Sequence, residues 1–146
     1  MITPVVLANG ATGVDSNVFT TASVAVNTDD ILCLDVFSVL AFSGNNPVDP
    51  VVTGLGCTWV VEASIQPTKG VAYSVFLRQT RFRTKVPATT SGVVTITYTT
   101  NPPSPTNIID LFAHALVRLE GASTAGVNGA GAFRQTETAN GQEAVA

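Results

Sequence analysis

Along most of the chain apolar and polar residues alternate one for one, the period of a strand whose successive side chains point to opposite faces. The clearest case is residues 57–83, which read CTWVVEASIQ, then PTKG, then VAYSVFLRQTRFR. Trp59, Val61, Ala63 and Ile65 fall on one face of the first arm, with Thr58, Val60, Glu62 and Ser64 on the other. On the second arm Tyr73, Val75 and Leu77 alternate with Ser74, Phe76 and Arg78. Pro67 and Gly70 supply the fixed and the permissive backbone angles of a reversal, so the pattern predicts a hairpin, around which the rest of the chain is expected to be organised.

The same period runs through the remaining segments. Residues 18–26 predict one strand with Val18, Thr20, Ala22, Val24 and Val26 in step, ended by an NTDD turn. Residues 31–42 predict a long strand with Leu32, Leu34, Val36 and Leu40 on one face and Cys33, Phe37, Val39 and Ala41 on the other. Apolar side chains on both faces mark a central strand, or one face turned to the core and one to an interface. Pro47 and Pro50 keep the next stretch out of a sheet interior, Val51 to Thr53 forms a short strand, and a GLG turn leads into the hairpin. After a TKVPATTSG spacer, VVTITYTT is a half-buried strand with Val94, Ile96 and Tyr98 inward, and NPPSPTN stops it. Residues 108–120 contain enough Leu and Ala for a helix, yet twelve of them obey period two, which predicts a strand.

The two ends differ from this middle. Residues 1–17 hold one apolar patch, Val5, Val6 and Leu7, followed by NGATGVDSN, and form an arm able to add an edge strand or to reach a neighbour. Residues 121–146 are rich in Gly, Ala, Thr, Asn and Gln with Phe133 as the one aromatic. Such a tail buries too little surface to offset its ordering entropy unless a neighbouring subunit ties it down. About seven strands, separated by turn signals, thus predict an all-β fold: an antiparallel sandwich or jelly roll over 18–120, with extended N- and C-terminal arms.

Composition sharpens this. The 146 residues suffice for one domain with a core, but only 12% are charged, about half the usual share, and mean hydropathy is +0.34. A surface so poor in charge is either covered with Thr, Ser and Asn or partly buried against other chains. A net charge of −3 argues against a general nucleic-acid binder. No apolar run approaches the roughly 20 residues of a membrane helix, and MITPVVLANG lacks the basic start of a secretory leader. Cys33 and Cys57 give neither a disulfide framework nor a zinc spacing, and read as two buried free thiols in neighbouring strands.

Candidate chemistry is sparse. His114, the only histidine, would be the only base for a Ser or Cys nucleophile, and falls on the polar face of its strand. Its nearest acid along the chain, Asp110, lies roughly 13 Å back on the same face. Asp35 and Glu62 are one carboxylate pair the fold could bring together for glycosidic chemistry. Asp29, Asp30 and Asp49 sit in turns, where capping the backbone competes with binding calcium. No catalytic, cofactor or metal motif is present, and the chain is expected not to be an enzyme. Arg78, Arg81, Arg83 and Lys85 place four of the seven basic residues within eight positions. Protein–protein complementarity, a solvated strand edge and an aromatic-basic nucleic-acid surface are the three readings of that run.

Three stretches in order, GLGCTWVVEAS, then YSVFLRQT with GVVTITYTT, then NIIDLFAHALVRLEGAST, resemble a jelly-roll-like β-sandwich of virion proteins in tailed bacteriophages. The Thr58-Trp59 pair after a Gly-rich turn, the Val/Thr strand at 93–99 and the strand of small and apolar residues ending at Gly121 carry the likeness, over roughly residues 29–131. After Gly131 the chain departs from it: the family continues with further strands, whereas this chain ends in GAFRQTETANGQEAVA. The resemblance implies a structural virion protein, most simply a capsid decoration (cement) protein. It would be a homotrimer on the outer capsid surface, bound to the major capsid protein without nucleic acid or membrane. Val5, Val6, Leu7, Arg78, Arg81, Arg83, Lys85, Phe133 and Arg134 would be its docking residues. The alternative is a tail or fibre β-sandwich that binds a carbohydrate or receptor.

Overall fold

A computed structural model of the chain describes residues 1–41, 48–66, 75–99 and 109–133. They form ten strands: β1 (Thr3–Thr12), β2 (Val18–Thr20), β3 (Val24–Val26), β4 (Ile31–Ala41), β5 (Val51–Gly54), β6 (Val60–Ile65), β7 (Val75–Lys85), β8 (Thr90–Gly92), β9 (Val94–Thr97) and β10 (Leu111–Glu120). Every pairing is antiparallel. A five-stranded sheet runs β1-β10-β4-β7-β6; opposite it stand a three-stranded sheet, β2-β9-β5, and the pair β3-β8. The architecture is the expected all-β sandwich.

One face of β4 drives the assembly. Leu32, Leu34, Val36 and Leu40 are all buried; Leu116 of β10 and Phe82 of β7, which flank Leu34, and Phe112 of β10, which lies opposite Ser38, are buried on the same face. Val94 and Ile96 of β9, Val52 of β5, Phe19 of β2 and Val24 and Val26 of β3 belong to the same cluster and come from the small sheets. Phe19 stacks on Phe112 with ring centroids 3.9 Å apart, and Tyr98 meets both rings edge-on. Burial of Val94, Ile96 and Tyr98 between exposed or half-buried threonines is the alternation read in VVTITYTT. Likewise the segment read as strand or helix forms a strand over Leu111–Glu120, because both of its neighbours pair with it over eight or more residues.

Three expectations change and one is met. Residues 18–26 are two strands in two sheets, not one. The buried set passes from Phe19 and Thr21 to Val24 and Val26, a change of phase as the chain crosses between sheets. Thr21 holds the crossing: its N–H reaches the Val94 carbonyl at 3.0 Å, and its hydroxyl accepts the Val94 N–H at 3.0 Å. Of the two options for the first 17 residues, the structure takes the added edge strand: Thr3–Thr12 is β1, paired with β10. Within the TKVPATTSG spacer a short strand, β8, pairs with β3. Finally, the β6-β7 pair begins at Val60 and is not the centre of the sheet: β6 is an edge strand, β7 lies beside it, and β4 is central; the PTKG turn and Tyr73 fall outside the described residues. A bulge between Val61 and Ala63 breaks the even face read along its first arm, since the extra residue reverses the side on which later side chains fall.

Asp49, just before β5, fastens the small sheet to the large one. Its Oδ1 accepts hydrogen bonds from Ser64 of β6 at 2.6 Å, Thr80 of β7 at 2.9 Å and Arg78 at 2.7 Å. Burial works against this carboxylate, but the Ser64, Thr80 and Arg78 hydrogen bonds together outweigh it and hold its pKa below the ordinary 3.8. A depressed folded value means that the stabilisation is present above 3.8 and is lost as pH falls through the folded value. Asp49→Asn is therefore expected to lower the urea midpoint at neutral pH, and the gap from wild type should shrink at about pH 2. Urea titrations of both proteins at the two pH values provide the check; a gap independent of pH would contradict the assignment.

Candidate interaction surface

Residues directly opposite on paired strands share a face, so the register lays out the side of the five-stranded sheet that turns away from the core. Its rungs read Leu111–Val39–Leu77, then Ala11–Ala113–Phe37–Gln79–Ile65, then Asn9–Ala115–Asp35–Arg81–Ala63, then Val6–Val117–Cys33–Arg83–Val60. Most of these side chains are apolar. Phe37, Leu111 and Val6 are 37%, 42% and 58% exposed, and Val39, Leu77, Ala113, Ala115 and Val117 are half-buried. Among the described residues, no second layer of sheet covers this face.

One end is sheltered by the segment after β10. A short 3-10 turn, Val127–Ala132, kinks at Asn128 and Gly129, both with left-handed φ. A Cβ at Gly129 would lie 2.8 Å from Ile31 Cδ1, so only glycine allows this contact. Arg83 secures the turn by donating to the carbonyls of Val127 and Asn128, each at 2.9 Å. Ile31 and Cys33 are buried at this end. Among the described residues, no further segment shelters the face beyond, from Val6 across to Leu77.

The basic run divides on the same geometry. Arg81, Arg83 and Lys85 stand on the outer face, whereas Arg78 shares the inner face with Ser38. Each has a carboxylate of its own chain. Arg78 meets Asp49 at 2.7 Å, Lys85 meets Asp29 at 2.9 Å, Arg83 meets Glu62, and Arg81 forks onto both oxygens of Asp35 at 2.8 and 3.0 Å. Arg118 pairs with Glu120 at 2.7 Å and with Asp30 at 3.6 Å, so all five Lys and Arg among the described residues are matched internally. The run thus presents ion pairs rather than a bare positive edge, and the complementarity read from the sequence is met within the chain. Asp35 and Glu62 are the partners of Arg81 and Arg83.

Of the other expected docking residues, Val6 is exposed, Val5 is half-buried, and Leu7 packs against the core from the bulge in β1. Phe133 is half-buried at the end of the 3-10 turn, where its N–H donates to the Ala130 carbonyl, and Arg134 lies outside the described residues. The apolar patch on β4 and β10 was not among the expected sites, although the doubly apolar pattern of 31–42 was its signal.

His114 is a correction. It lies on the inner face, paired with Val36 and Gly10 and 5.6 Å from the Phe112 ring, because Phe112 and Leu116 rather than Leu111 point to the core. Both ring nitrogens are buried without a hydrogen-bond partner, and burial lowers its pKa below 6.5. It borders a cleft of about 480 Å³ between β1 and β2, with Phe19 and Phe112 as floor and Val14 and Val18 on the rim. Trp59 packs on the core and its indole N–H reaches the Gly54 carbonyl at 3.4 Å. Cys33 in β4 and Cys57, which lies in the turn after β5 rather than in a strand, are free thiols. Burial pushes Cys33 up to about 11 and also raises Cys57, which keeps both protonated at neutral pH. Asp30 caps its turn by accepting the Asn27 N–H at 2.8 Å. Among the described residues, no group of three or more His, Cys, Asp or Glu could hold a metal ion.

Compared with protein-family models, curated proteins and solved structures, the chain matches none.

The two faces of the large sheet should respond differently to truncation. Leu34→Ala on the inner face is expected to cost about 2–5 kcal/mol. Val6→Ser and Leu111→Ser on the outer face should each cost about 1 kcal/mol or less. Urea unfolding of the three variants measures this directly, and equal losses would refute the division of faces.

Proposed function

We propose that the chain is a structural virion protein that decorates the outside of a phage capsid, binding coat subunits and bracing the joints between them. The observation that carries this reading is the open apolar side of the five-stranded sheet, bounded by Val6, Phe37 and Leu111. A single chain with so few charges gains little by leaving such a face in water, and contiguous exposed apolar surface is the usual mark of a protein contact. The internal pairing of Arg78, Arg81, Arg83 and Lys85 fits the same role: the docking face would be apolar with a neutral Asp35–Arg81 pair within it, not an electrostatic patch. The resemblance of the GLGCTWVVEAS, GVVTITYTT and NIIDLFAHALVRLEGAST stretches to phage virion sandwiches supplies the setting.

The reading as a tail or fibre glycan binder has less support. Sugar platforms use exposed aromatic rings, and among the described residues Phe37 is the only aromatic side chain that is exposed. Tyr98 is buried, and burial pushes its pKa up to about 12.

The test is to fractionate virions from the source of the gene into heads and tails and to count copies of the chain in each. A copy number that scales with the coat lattice on the head fraction is expected; a few copies confined to tails, or none in the particle, would overturn the proposal. On stripped heads, Phe37→Glu combined with Leu111→Glu should weaken rebinding about a hundredfold, because two charges would be buried without partners. Circular dichroism should show both variant and wild type folded.

A further inference from the structure

We propose that β1 is a joining edge, to which a second copy of this chain adds in antiparallel register about a two-fold axis at Gly10. This goes beyond the decoration reading and does not rest on it. β1 is the outermost strand on its side of the five-stranded sheet, so every second peptide group along it points away from β10. Proteins guard such an edge with charge, proline, a bulge or brevity. The opposite edge, β6, is guarded on several counts: it has six residues, a bulge, and Glu62 tied to Arg83. β1 has ten residues, TPVVLANGAT, and none of them is ionisable. Its two guards, Pro4 and the bulge between Val6 and Ala8, both lie in the N-terminal half. From Ala8 to Thr12 the register with β10 is unbroken, and Asn9, Gly10 and Ala11 are exposed.

What this edge fits is another copy of itself. The chain carries a net charge of −3, which opposes self-association through most surfaces, whereas two β1 strands bring no charge to each other. With the axis at Gly10, Ala8 faces Thr12 and Asn9 faces Ala11, small or uncharged side chains throughout. Val6 and Val14, 58% and 70% exposed, lie four residues to either side of Gly10. The axis therefore brings Val14 of each copy alongside the Val6 end of its mate, and the same apolar contact occurs twice, as a closed two-fold interface requires. Joined in this way, two five-stranded sheets become one of ten strands, and their open apolar faces run together into one surface.

Light scattering on the full chain eluting from a sizing column, over a range of loading concentrations, tests this. A mass of twice the 15.1 kDa chain is expected. Asn9→Lys with Ala11→Lys sets like charges opposite one another and should weaken the dimer about a hundredfold, as should Asn9→Glu with Ala11→Glu. Mixing the lysine and glutamate proteins should restore the double mass, which a merely misfolded variant could not do. A monomer at every concentration, a triple mass as the virion resemblance implies, or no rescue on mixing would each overturn the proposal. Head binding without the dimer would leave the decoration reading standing alone, and a dimer that ignores heads would do the reverse.

Discussion

Because β4 is apolar on both faces, it has to be covered twice, and the rest of the molecule follows from how far that requirement is met. On one side the small sheets meet it: Val94, Ile96, Val52 and Phe19 close over Leu32, Leu34 and Val36, and the side chains lose their water completely. On the other side, among the described residues, only the 3-10 turn at Val127–Ala132 arrives, sheltering Ile31 and Cys33 and leaving Phe37 and its neighbours open. The fold and the proposed assembly are thus two answers to the same imbalance.

Charge plays a different part from the one its clustering suggests. Cations on β7 stand beside acids on β4, β6 and the adjoining turns, and the short cross-strand spacing lets each find a partner. Most of these pairs are part-exposed and add little stability singly. Their consequence is to leave the outer face neutral, so that apolar contact and strand addition, rather than attraction between opposite patches, are the means of association proposed for it.

The legibility of the fold depended on whether local period and tertiary role agreed. They agree in β9, where Val94, Ile96 and Tyr98 face one core, and in β10, where period two prevailed over a weak helical spacing. They part at Thr21–Ser23, because a chain crossing between sheets changes phase, and at Glu62, because a bulge inserts one residue. β1 was legible only as a patch at Val5, Val6 and Leu7, since the rest of it is Asn, Gly, Ala and Thr, residues with little strand preference of their own. Its pairing with β10 comes from partners 100 or more positions away in sequence. The candidate surface was legible in the double apolar pattern of 31–42, but not its extent, which needs the register of five strands.

By itself, then, the sequence determined an all-β chain with a long central strand and about half the usual share of charge, because period, β-branching and composition are local properties. Only the tertiary structure decided which face of that strand is core, that His114 points inward, that each described cation is already matched, and that β1 and β6 are the edges of the large sheet. Those depend on which distant residues are brought opposite one another, and an alternating pattern reads the same whichever side the second sheet packs against.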